Sequence, residues 1–316
     1  MTIGLAVLGL GVQGRRMISR LPEHGGVRAV AAWDPEPGRL GDPGVAIAAS
    51  PEALVRMPGV DCVFIASPPA LHMEQSNLAF DAGKAVFCEK PLSVNAREAL
   101  DTIERIERDG LRAAVNFSLA ASAGLEALVA SRDADELGAV RAVEIEVAFK
   151  EWPRPWQSGA GRWLAERAEG GFTREVLSHF VFALQRTLGK ARVERSRATY
   201  PRDGAGAELA LSAELRAGGA PVRIEGRVGG DAADFNRMTL FGERGDLELR
   251  EWLAKVRRPG CAAFEPVAPG SRPGYLRQLD ELEKFVRGEG HVLPDFSEAL
   301  AVQETIEAML EGGSAG

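Results

Sequence analysis

An apolar run from Ile3 to Leu8 leads straight into Gly9-Leu10-Gly11-Val12-Gln13-Gly14, and a second apolar run closes at Asp34, 20 residues beyond Gly14. A strand, a glycine turn, a helix-like stretch and an acid at that distance form a dinucleotide-binding fingerprint. Gly9 permits the tight turn, Gly11 lets main chain approach a pyrophosphate, and Gly14 lets the helix lie close on the strand. Val12 and Gln13 lie at the helix start, where unsatisfied N–H groups and the positive dipole end favour an anion. The Asp34 carboxylate can accept from the ribose 2′- and 3′-hydroxyls and repels a 2′-phosphate, which favours NAD over NADP. The pair Asp34-Pro35 also suits a β-turn cap, and nearby Arg39 could serve a phosphate, so NADP stays open.

A chain of 316 residues is long enough for two cores, and a net charge of −7 with no basic block removes the attraction that drives nucleic-acid binding. No apolar stretch reaches the ~18 residues of a membrane span, and no charged leader precedes the first strand. The expectation is a cytoplasmic protein with neither nucleic acid nor membrane as partner. Cys62, Cys88 and Cys261 are odd in number and lack metal-ligand spacing, so neither a disulfide nor a metal site is expected.

Apolar strands near 3–8, 27–33, 60–66, 84–88 and 111–117 alternate with amphipathic segments, clearest at 70–82 and 95–109. Asn95 caps the latter with Glu98 three residues on, and Gly110 follows its last turn. This alternation predicts an α/β Rossmann domain over 1–118, a doubly wound parallel sheet with helices on both faces. Beyond 118 the period becomes two, as in Val143, Ile145, Val147 and Phe149, in Leu209, Leu211, Ala213 and Leu215, and in Val222, Ile224, Gly226 and Val228. A hairpin follows, from Met238 to Leu240 and back through Leu247 to Leu249. That pattern predicts an α+β domain over 119–316 with an open, mainly antiparallel sheet. Its charged face, with Glu144, Glu146, Arg223, Glu225 and Arg227, suits either water or self-association into a homodimer or homotetramer. Two helices, Gly274 to Arg287 and Ser297 to Glu311, close the chain and are free to pack back on the first domain. Loops are expected at 201–206 and 257–274, with a Gly-rich tail.

Ser67-Pro68-Pro69-Ala70-Leu71-His72 follows the third strand and Cys88-Glu89-Lys90-Pro91 the fourth. Both stand at strand carboxyl ends, the edge where open α/β sheets bind ligands, so Ser67, Pro68, His72, Glu89 and Lys90 fall where a nicotinamide would lie. Lys90 suits charge placement beside a reacting oxygen, and equally an exposed loop lysine paired with Glu89. Further on, Trp152, Arg154, Trp156, Arg162 and Trp163 put three of five tryptophans within 12 residues. Aromatic faces and arginines suit a substrate wall, or a loop packed on the sheet. Arg174 could project into the same cleft and favour an acidic substrate, or stay on the surface.

The sequence resembles the glucose-fructose oxidoreductase and inositol dehydrogenase family, often written Gfo/Idh/MocA. The carriers are GLGVQG at 9–14, SPPALH at 67–72, AFDAGKAVFCEKPLS at 79–93 and GGFTREVLSH at 170–179. The resemblance implies a Rossmann domain followed by an open antiparallel sheet, and an NAD(P)-dependent oxidoreductase acting on sugars, polyols or related ring alcohols. It implies that Lys90 is the catalytic lysine and that Lys90-Pro91 is cis. The family's helical Asp and His, four residues apart, correspond here to Glu175 and His179, a spacing that shares one helical face. By that correspondence His179 is the general acid/base, oriented by Glu175; read alone, it also suits a helix-packing histidine. Glu175 for Asp, Leu177 for a small residue and Pro69 for Asn depart from the family pattern and point to a different pocket. Alternatives are a hydrolase or lyase with transient redox, an imine reductase, and a non-catalytic cofactor-binding regulator.

Overall fold

The run Ile3–Leu8 is a strand, β1, buried along its whole length and flanked on both sides by parallel neighbours. This computed structural model describes residues 1–41, 43–157, 161–231, 233–251, 253–257, 263, 265–266 and 272–312. Cys261, most of the 257–274 loop and the end of the tail lie outside the described residues. The chain divides into two units, Met1–Ser118 with Pro273–Leu300, and Leu119–Arg272 with Ala301–Gly316.

In the first unit α1 (Val12–Arg20), β2 (Val27–Trp33), α2 (Pro37–Leu40), β3 (Ala46–Ile47), α3 (Pro51–Val55) and β4 (Cys62–Ile65) follow β1. Then come α4 (His72–Asp81), β5 (Ala85–Cys88), α5 (Ala96–Asp109) and β6 (Ala113–Val115). The strands form one parallel sheet in the order β3-β2-β1-β4-β5-β6. Winding reverses at β1, so the carboxyl ends of β1 and β4 border the crevice where such sheets take ligands. Capping sets the helix ends: Asn95 Oδ1 accepts from Arg97 and Glu98 N–H, and Gly110 leaves α5 in the left-handed region.

A helix from far along the chain, α8 (Gly274–Arg287), completes this unit. Its Leu279, Leu282, Phe285 and Val286 join Leu5, Val7, Phe64, Phe87 and Ala114 in one core. His24 donates from Nε2 to Asp280 Oδ1 at 2.9 Å, and Val115 N–H donates to Pro294 carbonyl at 2.8 Å.

The second unit holds an eight-stranded sheet. Its elements are α6 (Ala123–Asp133), β7 (Val140–Phe149), α7 (Ser178–Leu188), β8 (Ala191–Thr199), β9 (Ala210–Ala217), β10 (Ala220–Val228), β11 (Phe235–Gly242), β12 (Asp246–Arg250), β13 (Leu253–Arg257) and β14 (Glu265–Pro266). The order is β14-β13-β12-β11-β7-β10-β9-β8. Every pair is antiparallel except β10 with β7, which runs parallel, so the sheet is mixed. Its inner face buries Val143, Ile145, Val147, Leu211, Ala213, Val222, Ile224, Met238 and Leu247. The charged residues stand on the opposite face, with Arg195–Glu214 at 2.5 Å, Arg223–Glu225 at 3.0 Å and Arg250–Glu248 at 2.8 Å. The last helix, α9 (Phe296–Glu311), is capped by Asp295 Oδ1 on Glu298 N–H.

Leu282 is fully buried in the first unit's core, and shortening it leaves a cavity worth about 2–5 kcal/mol. Leu282→Ala is expected to lower the thermal midpoint by several degrees; an unchanged midpoint by calorimetry would show that α8 contributes nothing there.

Candidate active site

The turn after β1 is built by contacts that only glycine allows. A Cβ on Gly14 would stand 1.9 Å from Gly9 carbonyl oxygen, and one on Gly9, whose φ is +95°, would stand 2.7 Å from the main chain of Ala66 and Ser67. At Gly11 the same test meets nothing within 4 Å, so the turn is sealed below and open above. Gly11 caps α1 without a side-chain partner, and no acid occupies the first turn. The N–H groups of Val12 and Gln13, which at a helix start lack an intrahelical acceptor, fit a pyrophosphate with this clearance.

Asp34 is buried at the end of β2, where Oδ2 accepts from Leu10 N–H at 2.7 Å and Oδ1 from Glu36 N–H at 2.9 Å. It therefore fastens the glycine turn to the β2 edge and caps its own turn, with lone pairs over for ribose hydroxyls. Arg39 stands 4.0 Å from Asp34 Oδ2 and 3.1 Å from Glu36.

At the carboxyl ends of β4 and β5 the side chains divide into facing and supporting groups. Ser67 Oγ donates to Gln75 Oε1 at 2.7 Å, and Pro68 is exposed. Glu89 is buried; Asn116 Nδ2 donates to its Oε1 at 2.6 Å and Lys90 N–H to its Oε2 at 3.3 Å. Gln278 Nε2 in turn donates to Asn116 Oδ1. Lys90 is thus held at its main chain by the carboxylate beside it, half-buried, and Lys90-Pro91 is cis, as is Trp152-Pro153.

His72 corrects one expectation. It is fully buried beneath the loops, with Nε2 3.0 Å from Ser67 carbonyl and Nδ1 3.0 Å from Pro91 carbonyl. Burial pushes its pKa down while those carbonyls pull it up. As first residue of α4 it turns back toward the N-terminal side of the helix, so it staples the two loops together instead of facing a cofactor.

In the second unit a π-helical turn, Thr173–Leu177, leads into α7. Glu175 lies half-buried in the π turn, and His179 is buried as the second residue of α7. Such single π turns are frequent at functional sites. A buried carboxylate that no motif announced secures this start: Glu208, 1% exposed, accepts from Thr173 N–H at 2.7 Å through Oε1. Its Oε2 lies against Gly171, where a Cβ would come within 2.1 Å. Burial is the main cause that raises the Glu208 pKa.

The aromatic loop resolves residue by residue. Trp152 Nε1 donates to Leu164 carbonyl at 3.0 Å, and its ring packs with Phe149 and Phe172 at centroid distances of 5.4 and 6.4 Å. Trp156 is 53% exposed, Trp163 half-buried and Arg162 exposed. Arg154 stacks on Phe149, Trp152 and Trp156 at 5.3, 5.5 and 4.7 Å, with Nε and main-chain N–H both on Gln157 Oε1 at 3.1 Å. Arg174 is a second correction. It is not spare for a ligand: it grips both Glu307 oxygens at 2.7 Å and donates to the Arg167 and Gly170 carbonyls at 2.9 Å.

Among the described residues no cluster of three His, Cys, Asp or Glu could hold a metal ion, and no helix is long and apolar enough to cross a membrane. Cys62 and Cys88 are buried, and desolvation raises both thiols.

Residues 3–117 match the Gfo/Idh/MocA family model, described as an oxidoreductase family with an NAD-binding Rossmann fold. A putative UDP-kanosamine synthase oxidoreductase subunit of Amycolatopsis mediterranei is 28% identical, over 97% of this chain and 95% of that protein. An inositol 2-dehydrogenase of Streptomyces avermitilis is 29% identical, over 88% and 89%. The crystal structure of an oxidoreductase from Agrobacterium radiobacter in complex with NAD+, L-tartaric acid and magnesium superposes with a TM-score of 0.84 at 17% identity, covering 98% of this chain and 96% of that one. That last likeness shows the fold. Residues 3–117 are thus an NAD-binding Rossmann domain of the kind that the Gfo/Idh/MocA oxidoreductase model describes, and over most of its length the chain is similar to oxidoreductases.

The Glu208 carboxyl holds its proton to higher pH in the folded chain than in the unfolded one, so the folded state binds more protons between those two values. Stability contributed by this group therefore falls as pH rises from the ordinary carboxyl range through the raised one. Glu208→Gln keeps an acceptor for Thr173 and removes that slope. Thermal midpoints of the variant and the wild type are expected to draw apart in the variant's favour from pH 4 toward pH 8, by a few degrees. Parallel curves would contradict this.

Proposed function

We propose that this protein is an NAD(P)-dependent dehydrogenase or reductase that moves hydride between the nicotinamide and a sugar, polyol or related cyclic alcohol or ketone in the cytoplasm. The observation that carries the reading is Lys90, fastened through its main chain to the buried Glu89–Asn116–Gln278 chain at the carboxyl edge of the sheet beside the open glycine turn. Bound NAD supplies the hydride acceptor, or in the reverse direction the donor.

In this reading Gly9, Gly11, Val12, Gln13 and Gly14 take the pyrophosphate and Asp34 the adenosine ribose, with Ser67, Pro68 and Glu89 bordering the nicotinamide. His72 contributes by holding the loops that carry Ser67 and Lys90. The Lys90 ammonium steadies negative charge on the substrate oxygen, and the His179 imidazole takes or returns the hydroxyl proton. Glu175 orients the imidazole. Trp156 and Arg154 face substrate, while Trp152 supports the loop from beneath. The charged outer face of the eight-stranded sheet, already paired in opposite signs, serves self-association into a homodimer or homotetramer.

Turnover with NAD+ and a panel of polyols and sugar acids tests the roles. Lys90→Ala is expected to lower kcat about 10²–10³-fold, the usual cost of losing one charge stabiliser. His179→Ala is expected to lower it about 10²–10⁴-fold, with the loss easing at high pH, where hydroxide replaces the missing base. Wild-type turnover in both variants would overturn the assignment. Light scattering that gave a monomer at micromolar concentration would remove the self-association.

A further inference from the structure

We propose that Arg154 anchors an oxyanion carried by the substrate, a carboxylate or a phosphoryl group. The proposal rests on the dehydrogenase reading above and deepens it by naming the class of substrate.

Two half-buried arginines in the second unit make the contrast. Arg174 shows how a fold normally keeps a guanidinium from water: both Glu307 oxygens at 2.7 Å and two carbonyls use its donors. Hydrogen bonding and charge from Glu307 then raise its pKa despite burial. Arg154 has the burial without the partner, and desolvation lowers its pKa. Its Nε is pinned by Gln157, itself buried. Among the described residues its two terminal nitrogens hold no hydrogen bond, and no carboxylate lies within ion-pair distance. Asp234 and Glu175 act on it only from further off.

A side chain kept for packing alone would not be built this way. A partly desolvated cation with no carboxylate partner costs free energy even where water still reaches its terminal nitrogens, and a methionine would cover the same rings without that cost. The surrounding construction instead fixes a fork. Three aromatic faces hold the guanidinium plane and Gln157 holds its inner edge, which leaves the outer pair of N–H groups preorganised for a bidentate acceptor. Coulomb energy falls with distance, so an oxyanion touching the fork gains more from Arg154 than it loses to either more distant carboxylate. The open indole of Trp156, 4.7 Å from the same guanidinium, gives the rest of such a ligand an apolar surface.

Tryptophan fluorescence of the enzyme saturated with NAD+, titrated with D-glucose, D-glucuronate and D-glucose 6-phosphate, tests the anchor. At least one anion is expected to bind about tenfold or more tightly than D-glucose, with the difference lost in Arg154→Gln and partly kept in Arg154→Lys. The tighter of the two anions separates carboxylate from phosphoryl. Equal affinity for all three, binding of none, or a difference that survives Arg154→Gln overturns the proposal. The thermal midpoint of Arg154→Met without ligand gives a second readout: no lower than wild type if the cation awaits a ligand, several degrees lower if it is packing. Hydride transfer to NAD+ from neutral polyols with no anion preference would sink the anchor alone. Arg154-dependent anion binding with no hydride transfer from any compound would sink the dehydrogenase reading alone.

Discussion

One buried carboxylate ties the cofactor end of the first unit together. Asp34 ends β2, yet its two oxygens hold the N–H groups of Leu10, in the glycine turn after β1, and of Glu36, in the turn after β2. Two neighbouring strand ends are thereby locked in register at the edge where the sheet's winding reverses. The turn can then stay open above Gly11 while Gly9 and Gly14 press against protein below. A hydrogen-bonded charge is costly to bury and costlier to disrupt, so the residue proposed to meet a ribose also sets the geometry of the glycine turn proposed to take a pyrophosphate.

The same design recurs at each group assigned to chemistry: a buried polar residue, remote in sequence, holds main chain and leaves the side chain of interest to its task. Glu89 holds Lys90 N–H and is itself held by Asn116 and Gln278. Glu208 holds Thr173 N–H at the start of the helix that carries Glu175 and His179. Gln157 holds Arg154. Fixing main chain rather than side chain costs little ordering entropy at the moment of reaction, because it was spent in folding.

Local features could be read from the chain alone. The glycine turn, its acid, the Asn95 and Gly110 helix ends and the strand edge bearing Ser67 and Lys90 all follow from spacing over a few residues. Partners set by long-range register could not. Alternation showed which side of β10 faces inward, but not that β10 runs parallel to β7, because period two fixes a face and says nothing of a neighbour's direction. β8 escaped because its arginines interrupt the period. Position placed His72 at the right edge, and only the helix direction showed that its ring turns under the loops. Asn116, at a strand carboxyl end, and Glu208, an acid between Ala207 and Leu209, carried weak signals of their own; Gln278 carried none. Arg174 and Arg154 look alike in sequence, and they differ only because Glu307 returns to one of them.

The most direct measurement is calorimetric titration of NAD+ into the wild-type protein and into Asp34→Ala. The account requires one site per chain in the wild type and at least about a tenfold loss in the variant, since both the ribose acceptor and the tie to Leu10 disappear. A wild-type protein that takes up neither NAD+ nor NADP+, or a variant that binds as tightly as its parent, would contradict it.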